Sequence, residues 1–249
     1  MKNLVEVIIQ PINLRFSLFN DEIYYIVGGS PEATLDQAEQ FMGVGPGNRA
    51  GLLDCNLGFL PVCTTVLIRG EKNILIDPNN HHIGFYGMLA KALQERKLTL
   101  DSIDYVVVSH WHHDHSANTG MFSGGEIVVG KDELSLGRDI YGAEDVQAKL
   151  KNYRAVVEVD GIYELCAGVK VLYTPGHTPG SVSVLIDEGG QKTAVMGDSI
   201  MTRSEWFADN AFSHWYTEEQ LYGLRKTKAL IQAYCPSSII PGHDRRFMC

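Results

Sequence analysis

The stretch VVVSHWHHDH, residues 106–115, is the part of the chain that decides how the rest is interpreted. Its valines predict a short buried β-strand, and the six residues after Ser109 include four histidines and one aspartate. In an extended segment, residues two apart face the same way, so His110 and His112 can bind one metal ion together. Asp114 and His115 follow after the chain turns and can face a second ion.

Three further apolar stretches lead to potential metal ligands, each through a turn that contains glycine. Glycine lets the backbone bend and approach other groups closely. These stretches and the residues that follow them are 169–173 with His177, 194–197 with Asp198, and 238–240 with His243. A fourth stretch, 74–76, ends at Asp77 without the glycine. Strand ends of one sheet meet at one edge, so we expect these side chains to converge there.

The order of apolar and polar residues predicts a layered α/β protein. Predicted helices are 31–42, 84–97, 131–153 and 217–233, and a glycine-rich loop covers 43–58. The predicted strands are 3–9, 23–28, 63–69, 73–77, 104–109, 126–129, 155–159, 169–173, 181–186, 192–197 and 237–240. No Pro- or Ser-rich linker divides the 249 residues, so we expect residues 1–249 to form one domain with two similar halves.

Composition argues against several classes of function. The formal net charge is −9 and no basic run is longer than two residues, as at Arg245-Arg246, so binding to nucleic acid is not expected. No stretch approaches the roughly 18 apolar residues that span a bilayer, and the first residues do not form a signal peptide. The five cysteines have no metal-type spacing, which favours reduced thiols in a cytoplasmic protein.

Taken together, these residues resemble the metallo-β-lactamase fold superfamily. Its pattern is His-x-His-x-Asp-His followed by a lone His, an Asp and a His, with an earlier Asp after a strand. The chain has all five motifs in order between about residues 60 and 245. The resemblance implies a four-layer αββα sandwich, in which two mixed sheets are flanked by helices and the site lies at one edge of both sheets.

The resemblance also implies a role for each matching residue. One metal ion would be bound by His110, His112 and His177. The other would be bound by Asp114, His115 and His243, with Asp198 bridging both. Asp77 would hold the ligand loop rather than touch a metal, and Trp111 and His113 would be spacers. Imidazole and carboxylate suit two divalent ions, with zinc expected and iron or manganese also suitable.

Such a centre would act through hydrolysis. A metal-bound water loses its proton near neutral pH, and a hydroxide held between two ions could attack a carbonyl that they polarise. Asp114 could then pass the proton to the leaving group. The catalytic candidates are therefore Asp114 and Asp198, and the expected partner is a small molecule. A homo-oligomer is left open.

The lactonase-like group, which includes the quorum-quenching lactonases, is the most similar part of the superfamily. It has the same His and Asp ligands, and residues 54–63 look like the corresponding region of those enzymes. True β-lactamases of this fold usually have Cys or Ser where this chain has Asp198. Flavodiiron-type proteins have Glu in the place of His112. Met201 stands where the lactonases have a Tyr that contacts the substrate carbonyl, so we expect another small cyclic ester or a cyclic amide.

Two alternatives belong to other reaction classes. Thioesterases of the glyoxalase-II type carry a helical region after the last histidine, whereas only six residues follow His243. An iron-dependent sulfur dioxygenase would hold one iron per chain and consume oxygen. Candidate residues of the substrate wall come from the loops beside the ligands and are His81, His82, Met201, Trp206, Phe207, His214 and Trp215.

Overall fold

The computed structural model describes residues 2–19, 22–28, 57–79, 85–208 and 216–249. The helix predicted at 31–42 lies outside these ranges. So does the predicted glycine-rich loop, except for its last two residues, which begin a strand.

The first sheet has six strands in the order β1-β5-β6-β7-β8-β9. Strands β1, β5 and β6 pair antiparallel, whereas β6 to β9 pair parallel, so the sheet is mixed. Its strands are β1 (Leu4–Ile9), β5 (Thr65–Arg69), β6 (Asn73–Ile76), β7 (Tyr105–Val107), β8 (Glu126–Gly130) and β9 (Ala155–Val159).

The second sheet also has six strands, in the order β10-β11-β12-β13-β14-β15. All its neighbours pair antiparallel except β13 and β14, which are parallel. Its strands are β10 (Ile162–Cys166), β11 (Val169–Tyr173), β12 (Val182–Asp187), β13 (Lys192–Gly197), β14 (Ser238–Pro241) and β15 (Phe247–Met248). The prediction of two mixed sheets is therefore confirmed.

A third, three-stranded sheet was not expected from the sequence. Its central strand β2 (Ile12–Phe19) pairs antiparallel with β3 (Glu22–Gly28) and with β4 (Leu57–Val62). Of these, only β3 was predicted. The paired residues of β2 and β4 are 40 to 50 residues apart in the chain, so local sequence patterns could not reveal this pairing.

Five of the α-helices in the described ranges cover the outer faces of the two large sheets, and a short one, His113–Ser116, lies in the histidine motif. Their bounds are α1 (Phe85–Glu95), α2 (His113–Ser116), α3 (Glu133–Tyr141), α4 (Ala143–Leu150), α5 (Arg203–Phe207) and α6 (Glu218–Ala233). The single helix predicted over 131–153 is two helices, because Gly142 between them has a φ of 92°, which a helix does not contain. No helix in the described ranges has the length and apolar character needed to cross a membrane.

Three groups of buried side chains hold the layers together. Alternate residues of the strands point inward, so Val66 and Ile68 pack between the sheets while Leu67 packs on the outer face of the first sheet. Leu89 of α1 and Leu134 of α3 join that outer group. The outer face of the second sheet is covered by residues of α5 and α6. The four-layer arrangement predicted from the sequence is thus confirmed.

Trp111, which follows β7, is fully buried against helix α3. Gly137 lies in the middle of that helix, and a Cβ added there would be 2.3 Å from Trp111 Cδ1. The loop that carries the histidine motif therefore packs on a helix position that has no room for a side chain.

Replacing Gly137 with Ala should therefore destabilise the protein. Overpacking a filled core costs about 1–3 kcal/mol, which outweighs the gain in helix propensity of about 1 kcal/mol. Gly87→Ala in α1 is the matched control, because a Cβ there meets nothing within 4 Å, and it should be neutral or stabilising. Urea unfolding measures both, and equal effects at the two positions would contradict the packing argument.

Candidate metal centre

The strand ends bring the histidines and aspartates of the motif together at one edge of the two large sheets. Residues His110 to His115 follow β7, His177 follows β11, Asp198 follows β13 and His243 follows β14. Their possible ligand atoms form three groups, and within each group they lie within 4.8 Å of one another. The groups are His110, His112 and His177; His110, His115 and Asp198; and Asp114, His115 and His243.

The first group consists of three imidazoles that face one another. Nδ1 of His112 lies 3.0 Å from Nε2 of His110 and 3.0 Å from Nε2 of His177. A neutral imidazole has one N–H and one lone pair, so hydrogen bonds among the three cannot satisfy all the facing nitrogens. A cation between them could accept all three lone pairs.

The group of Asp114, His115 and His243, called the second group from here on, mixes imidazole and carboxylate. Nε2 of His243 is 3.1 Å from Oδ2 of Asp114, and Nε2 of His115 is 3.5 Å from the same oxygen. The two histidine nitrogens are 3.4 Å apart. Here too, the atoms that a metal ion would need converge on one point.

The carboxylate of Asp198 lies between the two groups. Its Oδ2 is 3.6 Å from Nε2 of His177 and 3.4 Å from Nε2 of His243, and its Oδ1 is 3.3 Å from Nε2 of His115. Within the described residues, Oδ1 is buried and has no hydrogen-bond partner. A buried oxygen without a partner is costly unless a cation satisfies it, so the donor set fits divalent metal ions.

Asp77 contacts the ligand segment without facing the centre of either group. Its carboxylate accepts hydrogen bonds from the Ser109 amide (2.7 Å) and the Ser109 hydroxyl (2.8 Å). It also lies 2.9 Å from Nδ1 of His115. A proton on this Nδ1 leaves the lone pair on Nε2, which is the nitrogen that faces Asp114 and Asp198.

The turn before His243 passes directly over Asp198. A Cβ added at Gly242 would be 2.0 Å from Oδ1 of Asp198, so any side chain there would displace the carboxylate. This close approach explains the glycine that the sequence has before the last histidine.

Burial and charge divide the histidines into two classes. Burial, above all, lowers the pKa values of His110, His112 and His177, the last to about 4. Burial also acts to lower the pKa values of His115 and His243, but neighbouring acidic groups outweigh it. They raise the pKa of His243 to about 9 and that of His115 well above its usual range. A metal ion bound at the second group would therefore have to release protons from it.

Some predicted residues lie elsewhere. The His113 amide donates to the Tyr141 hydroxyl at 3.0 Å, and the His113 ring lies beside the Tyr141 ring. Trp206 is buried near Phe247 on the outer face of the second sheet, and Phe207 is 65% exposed. The substrate-wall candidates that lie outside the described residues are His81, His82, His214 and Trp215.

A cavity of about 330 Å³ opens beside His112 and His177. Its other lining residues are Leu136, Thr178, Pro179, Met201, Tyr216 and Gln220. Of the predicted wall residues that the structure describes, Met201 is thus the one that lines this cavity.

Two polar residues of this cavity were missed in the sequence analysis. The Tyr216 hydroxyl is 3.4 Å from Nδ1 of His177, and the Gln220 amide donates to the His177 carbonyl at 3.0 Å. They lie on either side of Thr217, which begins α6. The start of this helix was the only signal in the sequence near them.

Cys63 was also missed. Its buried thiol donates to the backbone carbonyl of Asp114 at 3.1 Å, and burial raises the pKa of the thiol to about 12. A thiol with so high a pKa stays protonated, so Cys63 supports the Asp114 backbone and is absent from the three ligand groups.

Comparison with known proteins gives a family match over most of the chain. The profile described as "Metallo-beta-lactamase superfamily" matches residues 57–243, three quarters of the 249 residues. Asp77, His243 and all the ligand candidates between them lie inside the match.

Two relatives are N-acyl homoserine lactonases. The chain is 31% identical over 147 residues to one from Bacillus thuringiensis, and this match covers 58% of the chain and 57% of that lactonase. It is 27% identical over 248 residues to one from Bacillus cereus, and this match covers 90% of the chain and 93% of that lactonase. The chain therefore matches little more than half the length of the first relative.

A solved structure with a similar fold is an N-acyl homoserine lactone hydrolase with the product N-hexanoyl-L-homoserine bound at its catalytic metal center. The TM-score is 0.60 at 25% identity, and the alignment covers 76% of this chain and 84% of that one.

Asp77→Asn tests how the second group is held. Asn tolerates the positive φ of 52° at this position, but its NH₂ group next to His115 favours a proton on Nε2, the nitrogen needed for a metal. Zinc affinity at the group of Asp114, His115 and His243 should fall about 10- to 100-fold, as measured by competition with a chromophoric chelator. Asp160→Asn, in an exposed ion pair with Lys131, is the control. Unchanged zinc affinity in Asp77→Asn would show that Asp77 does not set the His115 tautomer.

Proposed function

Because the chain belongs to the metallo-beta-lactamase superfamily, we propose that it is a metal-dependent hydrolase that binds two divalent cations and opens a small lactone. A cyclic amide is the alternative ring. The observation that carries this proposal is that two ligand groups share Asp198 and adjoin a cavity at His112 and His177. The lactonase relatives support the choice of a cyclic ester.

The seven converging side chains are the proposed ligands. His110, His112 and His177 would hold one cation, and Asp114, His115 and His243 would hold the other, with Asp198 contacting both. We propose zinc for both positions, and iron or manganese would also suit these ligands. Two such cations would polarise an ester carbonyl and lower the pKa of a water molecule that supplies the nucleophile.

The two carboxylates have different surroundings and therefore different proposed roles. Asp198 is 5% exposed and Asp114 is 15% exposed, so Asp114 is the carboxylate that a substrate can reach. Although burial opposes it, His243 and His115 hold the pKa of Asp198 well below its usual range, so Asp198 stays ionised. We propose that Asp114 accepts the proton from the attacking water and transfers it to the leaving oxygen of the opened ring.

The cavity favours a small, partly apolar substrate. Leu136, Pro179 and Met201 form apolar walls, while Tyr216 and Gln220 add polar groups. A volume of about 330 Å³ is at the lower end for small-molecule sites and suits a single ring with a short substituent.

Tyr216 is the proposed contact for the substrate carbonyl. Burial lowers the pKa of His177, so this imidazole is neutral, and a proton on its Nδ1 is within reach of the Tyr216 oxygen at 3.4 Å. The hydroxyl proton of Tyr216 then remains available for a substrate, because no described residue accepts it in a second hydrogen bond. This hydroxyl lies in the cavity to which Met201 contributes only an apolar side chain.

Asp198→Asn should remove activity. Loss of the shared ligand should cost several kcal/mol of transition-state stabilisation, which corresponds to a decrease in kcat/KM of at least about 100-fold. It should also lower the zinc content below two ions per chain. The assay is turnover of lactones, cyclic amides, thioesters and phosphodiesters by zinc-loaded protein, with metal content measured in parallel. The exposed Asp101→Asn variant should behave as wild type.

Three results of this assay would contradict the proposal. Hydrolysis of phosphodiesters alone would exclude the lactonase activity. Hydrolysis of thioesters alone would favour the glyoxalase-II type of reaction. One iron per chain together with oxygen consumption would favour a sulfur dioxygenase.

Tyr216→Phe should lower kcat/KM for the best lactone about 10-fold while both zinc ions stay bound. The variant removes one hydrogen bond to the substrate, and such a bond contributes about 1.4 kcal/mol near the upper end of the usual range. Tyr222→Phe, on the exposed face of α6, is the matched control. A kcat/KM equal to that of wild type would mean that the Tyr216 hydroxyl does not contact the substrate.

A further inference from the structure

We propose that Glu133 is a positioning residue that connects the His110–His112 segment to the turn after His177 and thereby sets the metal affinity of these three histidines. The inference rests on the proposed function only in assuming that this group holds a metal ion. Glu133 was not among the candidates from the sequence, where it looks like an ordinary acidic residue at the start of a helix.

Three hydrogen bonds end on the Glu133 carboxylate, which is fully buried. Oε1 accepts from the Trp111 amide at 2.6 Å. Oε2 accepts from the Thr178 hydroxyl at 2.9 Å and from the Gly180 amide at 3.0 Å. Both oxygens are thus used, and each is bonded to a different loop.

The positions of these donors in the chain are what give Glu133 its proposed role. Trp111 is the residue between His110 and His112, and Thr178 directly follows His177. One loop leaves β7 of the first sheet and the other leaves β11 of the second. Glu133 therefore holds three imidazoles from two sheets through backbone and side-chain atoms one to three residues away from them.

Besides the contact between the His112 and His177 rings, a backbone hydrogen bond links the two loops. The Val182 amide donates to the Ser109 carbonyl at 2.8 Å. This backbone bond sets how far apart the strand ends lie. The orientation of the residues between and after the histidines depends on the contacts of Glu133.

The charge of Glu133 favours a role in positioning the ligand loops over a role in stability alone. All three partners are donors, so an ionised carboxylate is the form that accepts from each of them. Burial raises the pKa of this carboxyl, and the three donors act against that rise. Among the described residues, no Lys or Arg pairs with it. Burying a charge in this way contributes little to stability compared with apolar packing, but it fixes geometry.

The turn after His177 packs closely against the start of α3. A Cβ added at Gly180 would be 2.4 Å from the Lys131 carbonyl oxygen and 2.6 Å from Oε2 of Glu133. A Cβ at Gly130 would be 1.8 Å from the Gly180 carbonyl oxygen. The turn after His177 is therefore pressed against the start of α3, and a change in the carboxylate must be transmitted to it.

Glu133→Gln is the direct test. The amide has the same shape, but its NH₂ group must face either the Trp111 amide or the two donors at Thr178 and Gly180. Either orientation sets donor against donor, so at least one loop is released. We expect zinc affinity at the three-histidine group to fall about 10-fold or more, as for other changes around metal ligands. Thr178→Val removes one bond of the three and should give a smaller decrease.

The measurement is a two-step competition between the protein and a chromophoric chelator for zinc, together with the absorption spectrum of the cobalt-loaded protein. The step weakened by Glu133→Gln should be the step that Asp77→Asn leaves intact, because Asp77→Asn changes the contact with His115 while its remaining oxygen can still accept from the Ser109 amide. A change in the cobalt spectrum of Glu133→Gln would report an altered ligand geometry, which a loss of stability alone does not produce.

Glu188→Gln is the matched control. Glu188 accepts hydrogen bonds from Arg246 and Thr193 within the second sheet, away from both ligand loops. This variant should lower the midpoint of unfolding of the zinc-free protein and leave both zinc affinities unchanged.

Each outcome decides the inference. Wild-type zinc affinity at both steps in Glu133→Gln would overturn it and leave the proposed function standing. If Glu133→Gln does not fold, Thr178→Val decides, and unchanged zinc affinity in that variant would overturn the inference. If the wild-type protein binds no zinc, iron or manganese, the proposed function and the inference both fail.

Discussion

The convergence of five imidazoles and two carboxylates at one edge of the two sheets is the constraint on which the rest of the structure depends. Facing nitrogens lie 3.0 Å apart in the first group, and no arrangement of their protons satisfies them all. Buried polar groups of this kind are costly unless something binds between them. The surrounding structure is built to hold the side chains in place despite that cost.

Different devices hold different ligands. Asp77 accepts from Ser109 and lies beside Nδ1 of His115, so that the Nε2 lone pair of His115 is available for a metal ion. Gly242 lets the backbone pass over Asp198 with no space for a side chain. Glu133 links the loops of the two sheets. Each of these residues contacts a ligand or its neighbour in the chain rather than the metal position itself, so each can alter metal affinity without binding a metal.

The two halves of the centre differ in charge and in access. The three-histidine group is neutral because burial lowers its pKa values, and it adjoins the cavity. The other group has the more exposed carboxylate, Asp114, and two histidines whose pKa values are raised by acidic neighbours. In the proposed enzyme, a substrate entering beside His177 would therefore meet the apolar walls of the cavity first and Asp114 beyond them.

The sequence by itself determined the family, the layered fold and the convergence of the motif residues. The ligand candidates could be predicted because each follows a buried strand at short range, and strand ends of a sheet meet at one edge. Asp77, at the end of β6, was predicted for the same reason. Periodicity also revealed most of the described strands, although it missed β2, β4, β10 and β15.

Only the tertiary structure decided which residues surround the ligands. Glu133 and Trp111 are 22 residues apart, and Tyr216 and His177 are 39 apart, so their contacts have no local signature. Trp206 follows Asp198 closely in the chain, as a residue of the substrate wall could, yet it lies in α5 and packs beside Phe247 in the outer core. Local sequence patterns indicate which residues are buried and where strands and helices lie. Contacts between distant segments depend instead on how the sheets and helices pack. That packing creates the cavity and the links between the ligand loops.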